Sequence, residues 1–217
     1  MPRRVPPASK RRPGRPKDRS LSERRRAAIL DAATQLFASA GYAGADIQLL
    51  ADQLQVGKGT VYRYFASKEK LFLAAVEHGI RRLQEQVDQA ADQAPTPLGR
   101  VEAGIRAYLA FFARNPEVVE LFIQERAHFR QRSTPIYFLH QQAHLAPWQD
   151  LFRGLIRARV IRRVPVTRIT DVLSDLLYGT MFTNFLAGHR QSPERQCAAI
   201  LDVVLRGLLV APESYRS

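Results

Sequence analysis

A chain of 217 residues with 46% hydrophobic content can bury one sizeable core or two small ones, which excludes global disorder. No apolar run is long enough to span a bilayer, and the basic, proline-rich start is no secretory signal, so the expected place is the cytoplasm. The net charge of +13 is lopsided: residues 1–26 hold eleven Lys or Arg against two acidic residues, +9, and the rest carries +4, which points to a polyanion, with a merely solubilising tail as the plainer reading and no apolar face for a membrane surface.

Residues 1–21 are expected to be a basic arm. The segment has five prolines and almost nothing apolar to offset its ordering entropy. Within it, Arg12-Pro13-Gly14-Arg15-Pro16-Lys17 resembles the Gly-Arg-Pro core of minor-groove hooks. Pro keeps the chain extended, Gly admits the backbone to a narrow groove and Arg15 meets its negative potential. Generic attraction to phosphate accounts for the same residues.

The first helix is expected over 22–40, with Ser22 as its cap, an apolar stripe of Ile29, Leu30, Ala33, Leu36, Phe37 and Ala40, and Gly41 as its stop. Tyr42 is expected to pack at its end. Asp46 is a good N-cap for a second helix whose apolar face is Ile47, Leu50, Ala51 and Leu54. Gln55, Val56 and Gly57 break the pattern. A short third helix, about Lys58 to Phe65, turns Val61 and Phe65 inward and leaves Lys58, Thr60, Tyr62, Arg63 and Tyr64 on its polar side. Two helices around so short a turn make a helix-turn-helix, whose second helix enters the major groove of DNA. On spacing alone an ordinary helical hairpin fits as well.

The run Val56-Gly57-Lys58-Gly59-Thr60-Val61-Tyr62-Arg63-Tyr64-Phe65-Ala66-Ser67-Lys68-Glu69-Lys70-Leu71-Phe72 resembles the DNA-binding signature of the TetR family of bacterial transcriptional regulators. So does Ala33-x-x-Leu36-Phe37-x-x-x-Gly41-Tyr42. The likeness is detailed from about Arg26 to Val76 and architectural beyond. Three places depart from it. Gly57 stands where Ser or Thr is common, Gln55 where Gly is common, and Ala45 and Asp46 where hydroxyl residues are common. Asp46 caps but repels a phosphate. The resemblance implies DNA contacts by Gln48 and by Lys68 at the start of the next helix. The residues themselves make Lys58 and Arg63 the candidates for base edges or phosphate and Thr60 for a thymine methyl or phosphate. Tyr62 and Tyr64 are candidates for the DNA backbone, with packing under the helix as the plainer reading, and Gly59 gives room for the strand to approach.

Ser67 should cap a long helix reaching about Gln89, with Ala94-Pro95-Thr96-Pro97 as a break. Further helices are expected over Leu98–Arg114, Glu117 to about Arg130, and Ile136–Arg159 with a kink at Pro147. The last two are expected over 168–187 and 194–209. No β-alternation survives, so the class is all-α. The last two helices are strongly apolar, with Val172, Leu173, Leu176, Leu177, Met181 and Phe185 grouped on one face. Such faces need burial, within the monomer or, as the resemblance implies, against a second copy of the chain in a homodimer. Cys197, the only cysteine, is expected to be a buried inert thiol.

An effector pocket is expected among the middle helices, drawing on Tyr108, Phe112, Phe122, Glu125, Phe129, Tyr137, His144, Trp148, Phe152, Tyr178 and Phe182. Plain core packing explains most of these aromatics equally well. His140 and His144 have a workable metal spacing, and Glu125-x-x-His128 is half of a di-iron pattern, but no metal or other cofactor is expected. No nucleophile–base pair, phosphate loop or paired carboxylate argues for an enzyme.

The sequence therefore reads as three parts: an arm (1–21), a helix-turn-helix DNA-binding domain (22–66), and a helical effector-binding and dimerisation domain (67–217). The function it supports is a ligand-responsive regulator that holds a palindromic double-stranded operator and is released by a small molecule, a repressor. The alternatives are a nonspecific architectural DNA binder driven by the arm, and an all-α carrier of a small molecule or metal.

Overall fold

The computed structural model describes residues 19–188 and 192–208, so Arg15 and the hook segment lie outside the described residues. Ten helices follow in order among them: α1 (Arg19–Gly44), α2 (Ile47–Gln53), α3 (Lys58–Tyr64), α4 (Lys68–Asp92), α5 (Pro97–Arg114), α6 (Pro116–His128), α7 (Ile136–Ala143), α8 (Leu145–Arg157), α9 (Val166–Ala187) and α10 (Pro193–Leu208). The all-α expectation holds.

Local signals set most of the ends. Gly41, at φ 72, is the non-helical residue that divides α1 where the stop was expected. The Asp46 carboxylate accepts from the Gln48 N–H at 2.8 Å and starts α2. The Ser67 hydroxyl accepts from the Lys70 N–H at 3.1 Å and starts α4. Thr96 caps α5 through the Gly99 N–H at 3.0 Å. Gly188, left-handed at φ 60, closes α9.

Three expectations are corrected. Ser22 is not a cap, because α1 already begins at Arg19, and Arg24 reaches back to both the hydroxyl and the carbonyl of Ser20. The 136–159 stretch is not one helix kinked at Pro147. It breaks at His144, and Pro147 falls in the first turn of α8, where a missing N–H leaves no helical bond unmade. The apolar residues of α9 do not share one face: Leu173 and Met181 are buried, whereas Val172 is 58% and Leu176 37% exposed.

The core runs without interruption from α1 through the bundle. Phe37, Phe72, Leu71 and Val76 are fully buried where α1 meets α4, and α6 packs against both helices. Burial of each such side chain is worth about 1.5–3 kcal/mol. Polar pins cross the same seam. Asp31 of α1 takes His78 at 2.9 Å and Arg82 at 3.5 Å from α4, and the buried Gln124 of α6 donates to the Phe37 carbonyl at 2.9 Å. Cys197 is buried, as expected.

Candidate nucleic-acid interface and effector cavity

The α2–α3 unit is held from one side only. Ile47, Leu50 and Ala51 of α2, Val61 of α3 and Phe65 just beyond it are buried, and Val56 is half-buried between the helices. That arrangement turns Lys58, Gly59 and Arg63 fully outward and leaves Thr60, Tyr62 and Tyr64 half-exposed. The packing reading of the two tyrosines is thus half right: their rings lie against the core, and the Tyr64 phenol is 3.5 Å from the Ser22 hydroxyl of α1. Gln48 is exposed on α2, and its amide donates to Asp52 at 2.7 Å.

The departures noted in the sequence have structural consequences. Gln55, where Gly is common, carries the left-handed backbone that the turn demands, at φ 53. Gly57 is the N-cap residue of α3 but offers no side chain to cap it. Asp46 is exposed and stands 3.9 Å from the Lys58 ammonium. Lys68 is more tied down than expected. Its ammonium donates to the Ala43 carbonyl at 3.0 Å and lies 5.4 Å from the centre of the Tyr42 ring.

A cavity of about 180 Å³ lies between α4, α5, α7, α8 and α9. Its walls are mostly apolar, aliphatic and aromatic together, with Trp148 laid across Gly104 of α5, and Gln84, Asp88, Gln141 and His144 supply polar atoms. The Gln84 amide nitrogen is 3.0 Å from His144 Nδ1. Burial pushes the Asp88 carboxyl up; the nearby His144 opposes that and Asp92 adds to it. Burial lowers the His140 imidazole, Glu77 works against the shift, and His144 and Arg81 reinforce it.

Residues 29–75 match the family model of the bacterial regulatory proteins, tetR family. That segment is the DNA-binding region of the family, and the chain is similar to TetR-family regulators. It is 32% identical over 96 residues, 44% of each chain, to the HTH-type transcriptional repressor KstR of Mycobacterium tuberculosis. It is 31% identical over 111 residues to the HTH-type transcriptional repressor NicS of Pseudomonas putida, covering 49% of this chain and 50% of the other. The chain thus spans about half the length of the curated relatives it matches. A solved TetR-family transcriptional regulator from Pectobacterium atrosepticum is similar over 91% of this chain and 100% of its own, with 26% identity and a TM-score of 0.62.

The TetR match ends at residue 75, before Ile80, the first residue of the cavity. The fold brings only part of the expected effector set together. Tyr108, Tyr137, His144, Trp148 and Phe152 line the cavity. Phe122, Glu125, Tyr178 and Phe182 do not. They surround a separate cleft that shares only Tyr137 with the cavity. Phe112 faces a third, beside Met181 and Gln196. Phe129 packs where α6 meets α1 and α4, 5.0 Å from the Tyr42 ring and 5.5 Å from Phe72. Position along a helix told which residues point inward but not which void they meet. Of the cavity residues outside the expected set, Gln84, Asp88, Gly104, Gln141, Thr170 and Ser174 are small or polar and read in sequence as solvent face or spacer, and the others are aliphatic. The spacing of Gln84 and Asp88, four apart beside Leu83 and Val87, was the available signal.

Described histidines and carboxylates form no group of three placed to hold a metal ion. No described helix is long and apolar enough to cross a membrane.

Proposed function

We propose that this chain is a ligand-responsive, sequence-specific DNA-binding regulator of the TetR type, a repressor that acts as a homodimer on a palindromic operator. The observation that carries the reading is α3 itself. Its one aliphatic residue, Val61, is wholly buried, while Lys58 and Arg63 stand outward on a helix fixed to the core. A helix held in that way suits the major groove, with Lys58 and Arg63 for bases or phosphate and Thr60, Tyr62, Tyr64 and Gln48 beside them. Lys68 contributes charge near the strand, and Arg15 of the arm adds attraction in the minor groove. The names of KstR and NicS as repressors support the sign of the regulation.

Dimerisation is proposed through α9 and α10. Val172, Leu176, Gly179, Thr183 and Leu186 make an exposed stripe along α9, and Val203 of α10 is 74% exposed. Large apolar side chains beside small residues suit close packing of helices across a two-fold axis. The effector is proposed to be a small, mainly apolar molecule in the α4–α5–α8 cavity that binds the DNA-free arrangement more tightly than the DNA-bound one.

Selection of bound sequences from a random DNA pool by the purified protein at physiological salt tests this. The expected result is an enriched palindrome, lost on Lys58→Ala or Arg63→Ala. Recovery of AT-rich, unsymmetrical DNA, indifferent to those changes and lost on deletion of residues 1–18, would leave an arm-driven architectural binder instead.

A further inference from the structure

The cavity between α4, α5, α7, α8 and α9 has an electrostatic sign opposite to that of the chain around it. The formal net charge of the protein is +13, yet no Lys or Arg lines this cavity. Its one acidic residue is Asp88, in the last third of α4. Asp88 is exposed, so it stands at the mouth, while the apolar walls form the interior. Among the described residues it makes no ion pair. The guanidinium nearest to this end of α4, that of Arg100, is spent on Asp92 at 2.9 Å. Partial burial pushes the Asp88 carboxyl up, His144 draws it back, and Asp92 pushes it further. A carboxylate that has lost part of its water without gaining a fixed cation is one that a cation would relieve.

The neighbours of Asp88 on the same edge suit a donor as well. Gln84, one turn back on α4, directs its amide nitrogen at His144 Nδ1, 3.0 Å away, and at the His140 carbonyl, 3.5 Å away. That leaves the Gln84 amide oxygen to accept, and Gln141 of α7 brings a second amide to the same walls. An ammonium carries three N–H donors and no acceptor, which matches a carboxylate flanked by amide oxygens. A carboxylate or phosphate ligand would meet Asp88 with no Lys or Arg on the walls to hold it. A neutral ligand would fill the interior and leave Asp88 as it is. Behind the mouth, Trp148, Phe152 and the aliphatic residues offer space of about 180 Å³ for an apolar body.

We propose that the ligand of this cavity is an amphipathic amine, whose one or two rings lie against Trp148 and the aliphatic walls and whose protonated amino group donates to Asp88. The proposal names the chemical class of the effector and rests on the cavity being the effector site. Asp88 lies on the part of α4 that walls the cavity, so a cation held there acts on the helix that leads back to the DNA-binding unit.

Calorimetric titration of the full-length protein, without DNA, at neutral pH and physiological salt, tests the class with three probes of one shape: 2-naphthylmethylamine, 2-naphthylmethanol and 2-naphthoate. The expected order is amine first, alcohol second and naphthoate last. Asp88→Asn should weaken the amine about fivefold and leave the alcohol unchanged, as for the loss of one partly exposed ion pair. Asp92→Asn, one turn further on, should change neither. Ser174→Leu, which fills the cavity from α9, should weaken amine and alcohol alike, and circular dichroism establishes that each variant is folded. Binding of the alcohol as tight as that of the amine, or an amine affinity indifferent to Asp88→Asn, would overturn the proposal and leave the cavity as a site for neutral ligands. Preferred binding of naphthoate would overturn it too. No saturable binding of any probe would overturn it together with the effector cavity, whereas a failed operator selection bears on the DNA reading alone.

Discussion

Gly104→Ala probes whether the Trp148 indole forms the wall of the first cavity. A Cβ built at 104 falls 2.5 Å from Cη2 of Trp148 and 3.3 Å from both Cζ2 and Cζ3, where ordinary contact begins at 3.4 Å. The ring must therefore retreat by about 0.9 Å, into the space that an effector would occupy. Overpacking of this kind costs ~1–3 kcal/mol, and Ala in place of Gly inside α5 returns ~1 kcal/mol of helix propensity. The single variant should thus lose only ~0–2 kcal/mol, or roughly 0–8 °C in Tm for a chain of this size. That range is too blunt to decide the matter alone, so the informative measurement is a cycle with Trp148→Leu. With the indole gone, Gly104→Ala should stabilise by ~1 kcal/mol, and the coupling between the two sites should be ~1–3 kcal/mol. Urea unfolding at fixed protein concentration, followed by circular dichroism, gives the four stabilities. Trp148 is the only tryptophan, so its emission reports the ring's displacement in the single variant directly. An additive cycle with unchanged emission refutes the reasoning and removes the indole from the cavity wall.

Other outcomes follow from single residues. Asp46→Ser keeps the α2 cap but removes a negative charge beside Lys58, so Tm should hold while operator affinity rises about fivefold, read by fluorescence anisotropy. Gln55→Gly should stabilise the fold by ~1 kcal/mol by relieving the left-handed backbone at φ 53, and unchanged urea midpoints would count against that strain. Burial holds the Glu125 carboxyl above its ordinary value of 4.5, with the Ile136 N–H and Arg132 opposing the shift. The native state therefore keeps a proton that the unfolded chain has released, and this group's contribution falls as pH rises through the window above 4.5. The Tm difference between Glu125→Gln and the parent should accordingly widen in the variant's favour from pH 4 to pH 7, and a constant difference would refute the assignment. Burial raises the Cys197 thiol, opposed by Arg106, so a thiol reagent should label the protein only on unfolding.

The parts of this protein that were legible in the sequence are those governed by short-range chemistry. Asp46, Ser67 and Gly41 act through bonds or torsions within a few residues of themselves, and each starts or stops a helix where the letters say. Val61 and Phe65 declare the buried side of α3 by spacing alone. The effector region was only half legible, since an aromatic residue serves a cavity wall at Tyr108, a cleft at Phe182 and the packing of α6 against α1 at Phe129. Which of these applies depends on helices far apart in the chain. The residues overlooked altogether, Gln84, Asp88 and Gly104, were hidden by being polar or small. Their role comes from what α8 and Trp148 place opposite them.

How an effector would reach the DNA on the proposed function depends on where α4 is fixed and where it is free to move. Its 25 residues span about 37 Å as a rigid rod. The first half is locked to α1 by the Phe37–Phe72 edge contact at 5.1 Å and by Asp31 with His78, and Arg82, just past the middle of α4, extends that tie. The second half, from Ile80 to Asp88, walls the cavity. A ligand that displaces the second half cannot bend α3 alone, because α2 and α3 share a buried core with α1 and the start of α4. It must swing the whole α1–α3 unit about the seam where Phe129 and Gln124 meet α1. In a dimer joined through α9 and α10, such a swing changes the separation of the two α3 helices rather than their shape. Since operator half-sites fix that separation, a small rotation suffices to weaken DNA binding while each α3 keeps its fold.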